Sequence, residues 1–210
     1  MKHDRILCFG DSITLAANDS EGLGWPGRLG KGLCCNGRSV AMYNLGINGD
    51  TSEHIRDRWQ SESCARSRDA RPLLLFAFGF NDASERDGGG LQVALEDSVQ
   101  TARDMLDAAR AEHDLLWIGP TPLDESVNPL VTAYASWVTW NSDIRAYDAA
   151  YAQLAAELGI DYLPVFDEFV ESPRYTSALA AGDGIHPGDD GYAMIAERIA
   201  GWPAWQQRIA

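Results

Sequence analysis

No run of about 18 consecutive apolar residues occurs in this 210-residue sequence, so it holds no stretch of the length a membrane-spanning helix requires. Cysteine is scarce: Cys8, the adjacent pair Cys34 and Cys35, and Cys64 give neither a zinc spacing nor a dense disulfide framework. Reduced thiols are the expectation. Positive charge is also short, with 17 Lys and Arg against 31 Asp and Glu and a net charge of −14. A nucleic-acid backbone or an anionic membrane is therefore repelled on average, whereas a small uncharged substrate is compatible. The opening residues, Met1-Lys2-His3-Asp4-Arg5, carry no apolar signal region or small-residue cleavage site, which points to the cytoplasm. Solenoid-length repeats, low-complexity segments and long linkers are missing too, so one domain spanning residues 1–210 is expected.

What is present is ample apolar material, 45% hydrophobic against 23% charged, which excludes global disorder. Five segments read as strands, at residues 5–9, 39–46, 72–78, 115–119 and 160–165, the first buried on both faces and the third, the most apolar run, central in a parallel sheet. Between them lie segments of helical spacing. Residues 21–33 carry Leu23, Trp25, Leu29 and Leu33, with Pro26 near the start. A second helix runs through Trp59, capped by Asp50, Thr51 or Ser52. From Leu91, the positions Leu95, Val99, Ala102, Leu106 and Ala109 make a core-packing stripe. A helix through Tyr147, Tyr151, Leu154 and Leu158 ends at Gly159, and the last one holds Tyr192, Ile195 and Ile199. Strand and helix alternating in this way predict a doubly wound α/β sandwich with right-handed crossovers. The connection over residues 120–140 reads as irregular, and its Tyr134, Trp137 and Trp140 either wall a crevice or seal the core.

The chemistry gathers where strands end. Ser12, in Phe9-Gly10-Asp11-Ser12, falls just past the carboxyl end of the first strand, the edge at which open α/β sheets bind ligands. A turn serine capping the next helix is the alternative. Gly79-Phe80-Asn81-Asp82 follows the third strand in the same way, so the Asn81 amide can face the crevice as an oxyanion donor. Gly49, after the second strand, can add a backbone N–H with no Cβ in the way. Both are also ordinary turn residues. In Asp183-Gly184-Ile185-His186, the carboxylate can hold one imidazole nitrogen while the other faces Ser12, the arrangement of orienter, base and nucleophile. Of the other histidines, His3 and His113 sit in charged surroundings without such a partner, and His54 lies early in a surface helix.

These four blocks, in this order across nearly the whole chain, resemble the SGNH or GDSL-type hydrolase family. The resemblance implies a three-layer α/β/α flavodoxin-like sandwich with a five-stranded parallel sheet of order 2-1-3-4-5, and no cofactor. It implies Ser12 as nucleophile, Asp183 and His186 as its triad partners, and Ser12, Gly49 and Asn81 as oxyanion-hole donors. The activity implied is cleavage of small acyl esters or thioesters through an acyl-enzyme. One departure is Ile13, where the family motif has leucine; its volume is similar.

Two other classes compete. Asp11, Asp82 and Asp183 near one sheet edge could hold a divalent metal for phosphoryl chemistry, or the chain could be a non-catalytic flavodoxin-like binding module. A receiver would want a lysine after the fifth strand and a flavin site a Ser/Thr/Gly-rich phosphate loop after the first; neither is present. The acyl group, the leaving group and the oligomeric state stay open.

Overall fold

The computed structural model describes residues 3–68 and 70–209. Strand β1 (Arg5–Gly10) leads into a single-turn helix α1 (Ser12–Leu15), then α2 (Gly24–Cys35), β2 (Ala41–Gly46), α3 (Ser52–Ser67) and β3 (Leu73–Ala77). A short strand β4 (Ser84–Arg86) precedes α4 (Leu95–Glu112) and β5 (Asp114–Ile118). Strands β6 (Leu130–Val131) and β7 (Ser136–Thr139) lie in the next connection, followed by α5 (Asn141–Leu158) and β8 (Tyr162–Leu163). The chain ends in α6 (Phe166–Val170), α7 (Pro173–Ala180), α8 (Gly188–Ala200) and α9 (Pro203–Ile209).

Five of the strands form one parallel sheet in the order β2-β1-β3-β5-β8, the expected 2-1-3-4-5 order once the short strands outside it are set aside. Side chains alternate across it. Leu7, Phe9, Leu74, Phe76, Leu115 and Trp117 enter one core with α3, α4 and α5, while Ile6, Cys8, Leu73, Leu75, Leu116 and Ile118 enter the other with α2, α7, α8 and α9. Burial on both faces is why these strands read as unbroken apolar runs. The register aligns Gly10 with both Gly46 and Ala77, so the first three strands end together at one edge. Gly46 is required there: a Cβ on it would come 2.2 Å from the Leu15 amide nitrogen, and α1 could not fold back over β2. All four cysteines are free thiols, and no helix among the described residues is long and apolar enough to cross a membrane.

The expected irregular connection over residues 120–140 is instead partly β. Strands β4, β7 and β6 form a second, antiparallel sheet, with Ser84 opposite Thr139 and Leu130 opposite Trp137. Strands of two to four residues with Ser, Glu and Arg among them carry too little apolar alternation to be seen. Helix boundaries also moved. Helix α3 runs to Ser67, and α4 starts only at Leu95 because Leu91 pairs with Glu85 of β4 and the Gln92 and Val93 N–H groups bond to Ser84 and Asp82. The helix holding Tyr192 is not the last: α9 follows it, and α6 and α7 come before it.

Candidate active site

Ser12, Gly49 and Asn81 are set by the loops that follow the first three parallel strands, and Asp183 and His186 by the turn between α7 and α8. After β1, the Asp11 side chain accepts the Ile13 N–H at 2.9 Å and caps α1, leaving Ser12 at the first helical position. Cap and candidate nucleophile are thus different residues, which removes the reading of Ser12 as a mere cap. Asp11 is buried. Burial pushes its carboxyl up to about 6 against the lowering effect of the Ile13 N–H and His186, with Asp82 and Asp50 adding to the rise.

After β2 the chain turns through Gly49, whose φ of +81° lies in the left-handed region and whose missing Cβ would meet nothing within 4 Å. That loop is tied on both sides. Arg58 donates to the Asp50 carboxylate at 2.8 Å and to the Gly10 carbonyl at 3.1 Å, linking it to the end of β1. The Asn81 amide donates to the Asp50 carbonyl at 2.9 Å, linking it to the loop after β3. Asn81 is buried, and because a side-chain amide has two N–H donors, the tie to Asp50 leaves one N–H for a substrate. Next to it, Asp82 accepts from the Ser52 N–H and the Ser98 hydroxyl, each at 2.8 Å, and from the Tyr151 hydroxyl at 3.0 Å. Burial raises its pKa over the opposing effect of those donors. Thr51 is the residue that caps α3, in a box closed by its N–H donating to His54 Nδ1 at 3.1 Å; the rest of His54 faces solvent, as expected.

The turn before α8 holds the pair Asp183 and His186. Asp183 accepts the Ile185 and His186 N–H groups at 2.9 and 2.8 Å, and its other oxygen lies 2.7 Å from His186 Nδ1. Burial acts to raise the Asp183 pKa, but the imidazole and the two backbone donors outweigh it and hold the carboxyl well below the usual carboxylate range. An ionised carboxylate only accepts, so Nδ1 carries a proton, and in the neutral imidazole the lone pair is then on Nε2. That Nε2 is buried and has no hydrogen-bond partner among the described residues.

Ser12, Gly49, Asn81, Asp183 and His186 all open onto one cavity of about 280 Å³. Its walls are Phe80, Ile185, Leu130 and Trp137, with Asn48, Ser84, Thr132 and Thr139 also lining it. The second sheet therefore supplies one side of the site, a contribution the sequence did not show. Trp137 is the one predicted wall residue that lines it, with Arg86 stacked 5.1 Å from its ring; Tyr134 is 92% exposed and Trp140 44%. A larger cavity of about 670 Å³ between α2, α8 and α9 touches none of the five residues.

One reading of the histidines is corrected. His3 does have a carboxylate partner: it is buried, with Nε2 2.9 Å from Asp114 and Nδ1 3.1 Å from the Arg71 carbonyl. Asp114 opens β5, at the amino edge of the sheet, so the pair stands at the end opposite the cavity. The three carboxylates weighed as a metal cradle serve separate partners, Asp11 the α1 cap, Asp82 the α3 amino end, Asp183 the imidazole. No group of three His, Cys, Asp or Glu side chains placed to hold a metal occurs among the described residues. A contact missed from sequence is Asn18, which donates to Asp183 at 2.7 Å across 165 positions.

A parallel α/β sandwich with these loops at one edge is the architecture of the SGNH hydrolases, and the chain is one of them by sequence as well. It belongs to the GDSL-like Lipase/Acylhydrolase family, which it matches over residues 8–194, and is a hydrolase acting on ester bonds. Among solved structures it is similar to a lipase/acylhydrolase from Enterococcus faecalis, with 21% identity, TM-score 0.73 and coverage of 95% of this chain and 93% of that one. A catalytic mutant of an acetylxylan esterase from Geobacillus stearothermophilus shares 18% identity over 100% and 96% of the two chains, with TM-score 0.74. An alpha/beta hydrolase enzyme from the metagenome of Lake Arreo shares 19% identity over 100% and 98%, with TM-score 0.75. A search of curated protein sequences finds no significant match.

Proposed function

We propose that the protein is a serine esterase that cleaves small acyl esters through an acyl-enzyme. The observation that carries this reading is the imidazole of His186, oriented by Asp183 through Nδ1 with Nε2 left buried and unpartnered, beside a cavity that His186 and Ser12 both line. In this reading Nε2 takes the Ser12 proton as Oγ attacks the carbonyl carbon, and Asp183 stabilises the imidazolium. Negative charge then develops on the carbonyl oxygen. The Ser12 and Gly49 N–H groups and the second N–H of Asn81 are the donors for it, fixed in advance by the ties to Asp50 and Gly10. His186 protonates the leaving alcohol, and water enters by the same route with roles reversed. Five residues on three strand-end loops and one turn act as a unit.

The cavity argues for a small substrate. At about 280 Å³ it lies just below the usual range for drug-sized ligands, and its lining by Phe80, Leu130, Trp137 and Ile185 suits an ester with a short acyl group. An acetylated sugar, the substrate class named for the Geobacillus relative, is one such ester. The test is a hydrolysis panel of aryl esters, thioesters and acetylated sugars on wild type beside Ser12→Ala. The expected result is turnover of short-chain esters by wild type only; equal activity in Ser12→Ala overturns the reading.

A further inference from the structure

Four N–H groups converge on the Asp183 carboxylate, as many as its lone pairs can accept. Three come from its own turn, and any tight Asp-x-x-His turn can supply them. The fourth comes from Asn18, six residues after Ser12, whose Nδ2 reaches Oδ2, the oxygen that also faces His186 Nδ1. We propose that Asn18 is a positioning residue for the reaction, one that fixes Asp183 against His186 and weakens its pull on the imidazole proton. This rests on the reading of Asp183 and His186 as the base that serves Ser12.

The local structure is built to deliver that amide. Asn18 has φ +60°, a left-handed conformation that Asn, Asp and Gly adopt most readily. Behind it, Asp19 is paired with Arg28 at 2.5 Å and accepts the Leu23 and Gly24 N–H groups at the start of α2. Ser20 donates its N–H and its hydroxyl to Asp189, three residues past His186. The loop after the nucleophile is thereby joined to the turn carrying the base at two points, Asn18 to Asp183 and Ser20 to Asp189. Because Asn18 and His186 share one carboxylate oxygen, each donor lowers the charge the other meets.

Among the described residues, the other titratable groups around the pair are Asp11 beside Ser12, Asp19 in the same loop, Asp189 and Tyr192 on α8, and Asp124, whose N–H donates to the Gly184 carbonyl of the turn and whose carboxylate accepts the Ser126 N–H. Asp19 is held by Arg28, Asp189 by Ser20, and the Tyr192 hydroxyl donates to the Ala17 carbonyl at 2.7 Å. Asp11 is the same in wild type and variant, so a difference between their pH profiles reports on Asn18.

The test uses two variants that keep the left-handed backbone. Asn18→Gly removes the donor, and Asn18→Asp replaces it with a carboxylate. Profiles of kcat/KM against pH are measured on a short aryl ester, with melting temperatures on the same preparations and Ser12→Ala in parallel. A negative charge beside Asp183 stabilises the imidazolium, so Asn18→Asp should move the acidic limb to higher pH by about half a unit or more at low salt, with the shift shrinking as salt is added. Asn18→Gly should lower the plateau by roughly threefold to tenfold in the folded fraction and move the limb to higher pH, because Asp183 then pulls harder on the imidazole proton; the melting temperature reads the lost tie between loop and turn separately. The added charge acts in Asn18→Asp whatever the role of Asn18, so Asn18→Gly decides: a residue that only shapes the loop would alter its melting temperature and leave its limb and its plateau in the folded fraction in place. An inactive Ser12→Ala beside unmoved profiles overturns this inference alone, whereas an active Ser12→Ala overturns the reading of the site and this inference with it.

Discussion

Asp11 shows how a single residue can serve the site at a cost to the fold. Its carboxyl titrates near 6 in the folded protein, raised by burial from an ordinary 3.8, so between those values the native state binds a proton that the unfolded chain has released. The contribution to stability is fully present below about 4 and is lost as pH rises through 6, amounting to about 3 kcal/mol at most. Asn has the same shape and can still accept the Ile13 N–H. Asp11→Asn should therefore raise the melting temperature at pH 8 and leave it nearly unchanged at pH 4; equal shifts at both would contradict the burial account. Asn81 makes the opposite test, of chemistry over stability. Loss of one oxyanion donor costs about 10²–10³ in kcat, so Asn81→Ala should lower kcat by that order with KM little changed. A purely structural Asn81, tied to Asp50, predicts a lowered melting temperature with kcat preserved in the folded fraction. Kinetics and melting on one preparation separate the two.

At the scale of elements, sequence served well where burial is two-sided and poorly where it is not. The run Leu73-Leu74-Leu75-Phe76 is wholly buried, and nothing but a central strand accounts for it. Ser84-Glu85-Arg86 carries no such signal, because it is held by pairing to Thr139, Val138 and Trp137, residues some fifty positions away. The site divides along the same line. Ser12, Gly49, Asn81, Asp183 and His186 sit on strand ends or in a short turn, so their convergence follows from topology. Asn18, Arg58 and the β6–β7 wall depend on long-range contacts, and Ser98 is a buried polar residue inside a helix whose stripe was read from apolar positions alone. The wall has a kinetic consequence. Trp137→Ala should open the cavity and raise the ratio of kcat/KM for butyryl over acetyl esters by about tenfold or more, since each methylene accommodated is worth about 1–3 kcal/mol. An unchanged chain-length preference would show that the second sheet does not bound the acyl side.

Over the whole molecule, two apolar cores hold one sheet whose carboxyl edge carries every proposed catalytic group, and the loops along that edge are fastened to one another by Arg58, Asn81 and Asn18. The charge of −14 repels anionic surfaces on average while leaving a neutral ester free to approach. The central claim is that Ser12 is a hydroxyl activated by His186. Its most direct measurement is the mass of the intact protein, and of its peptides, after reaction with an organophosphate, for wild type, Ser12→Ala and His186→Ala. The account predicts one adduct per wild-type chain, on Ser12, formed with loss of all esterase activity, with no adduct on Ser12→Ala and a much slower one on His186→Ala. An adduct on another residue, or stoichiometric labelling of Ser12 at the wild-type rate without His186, would contradict it.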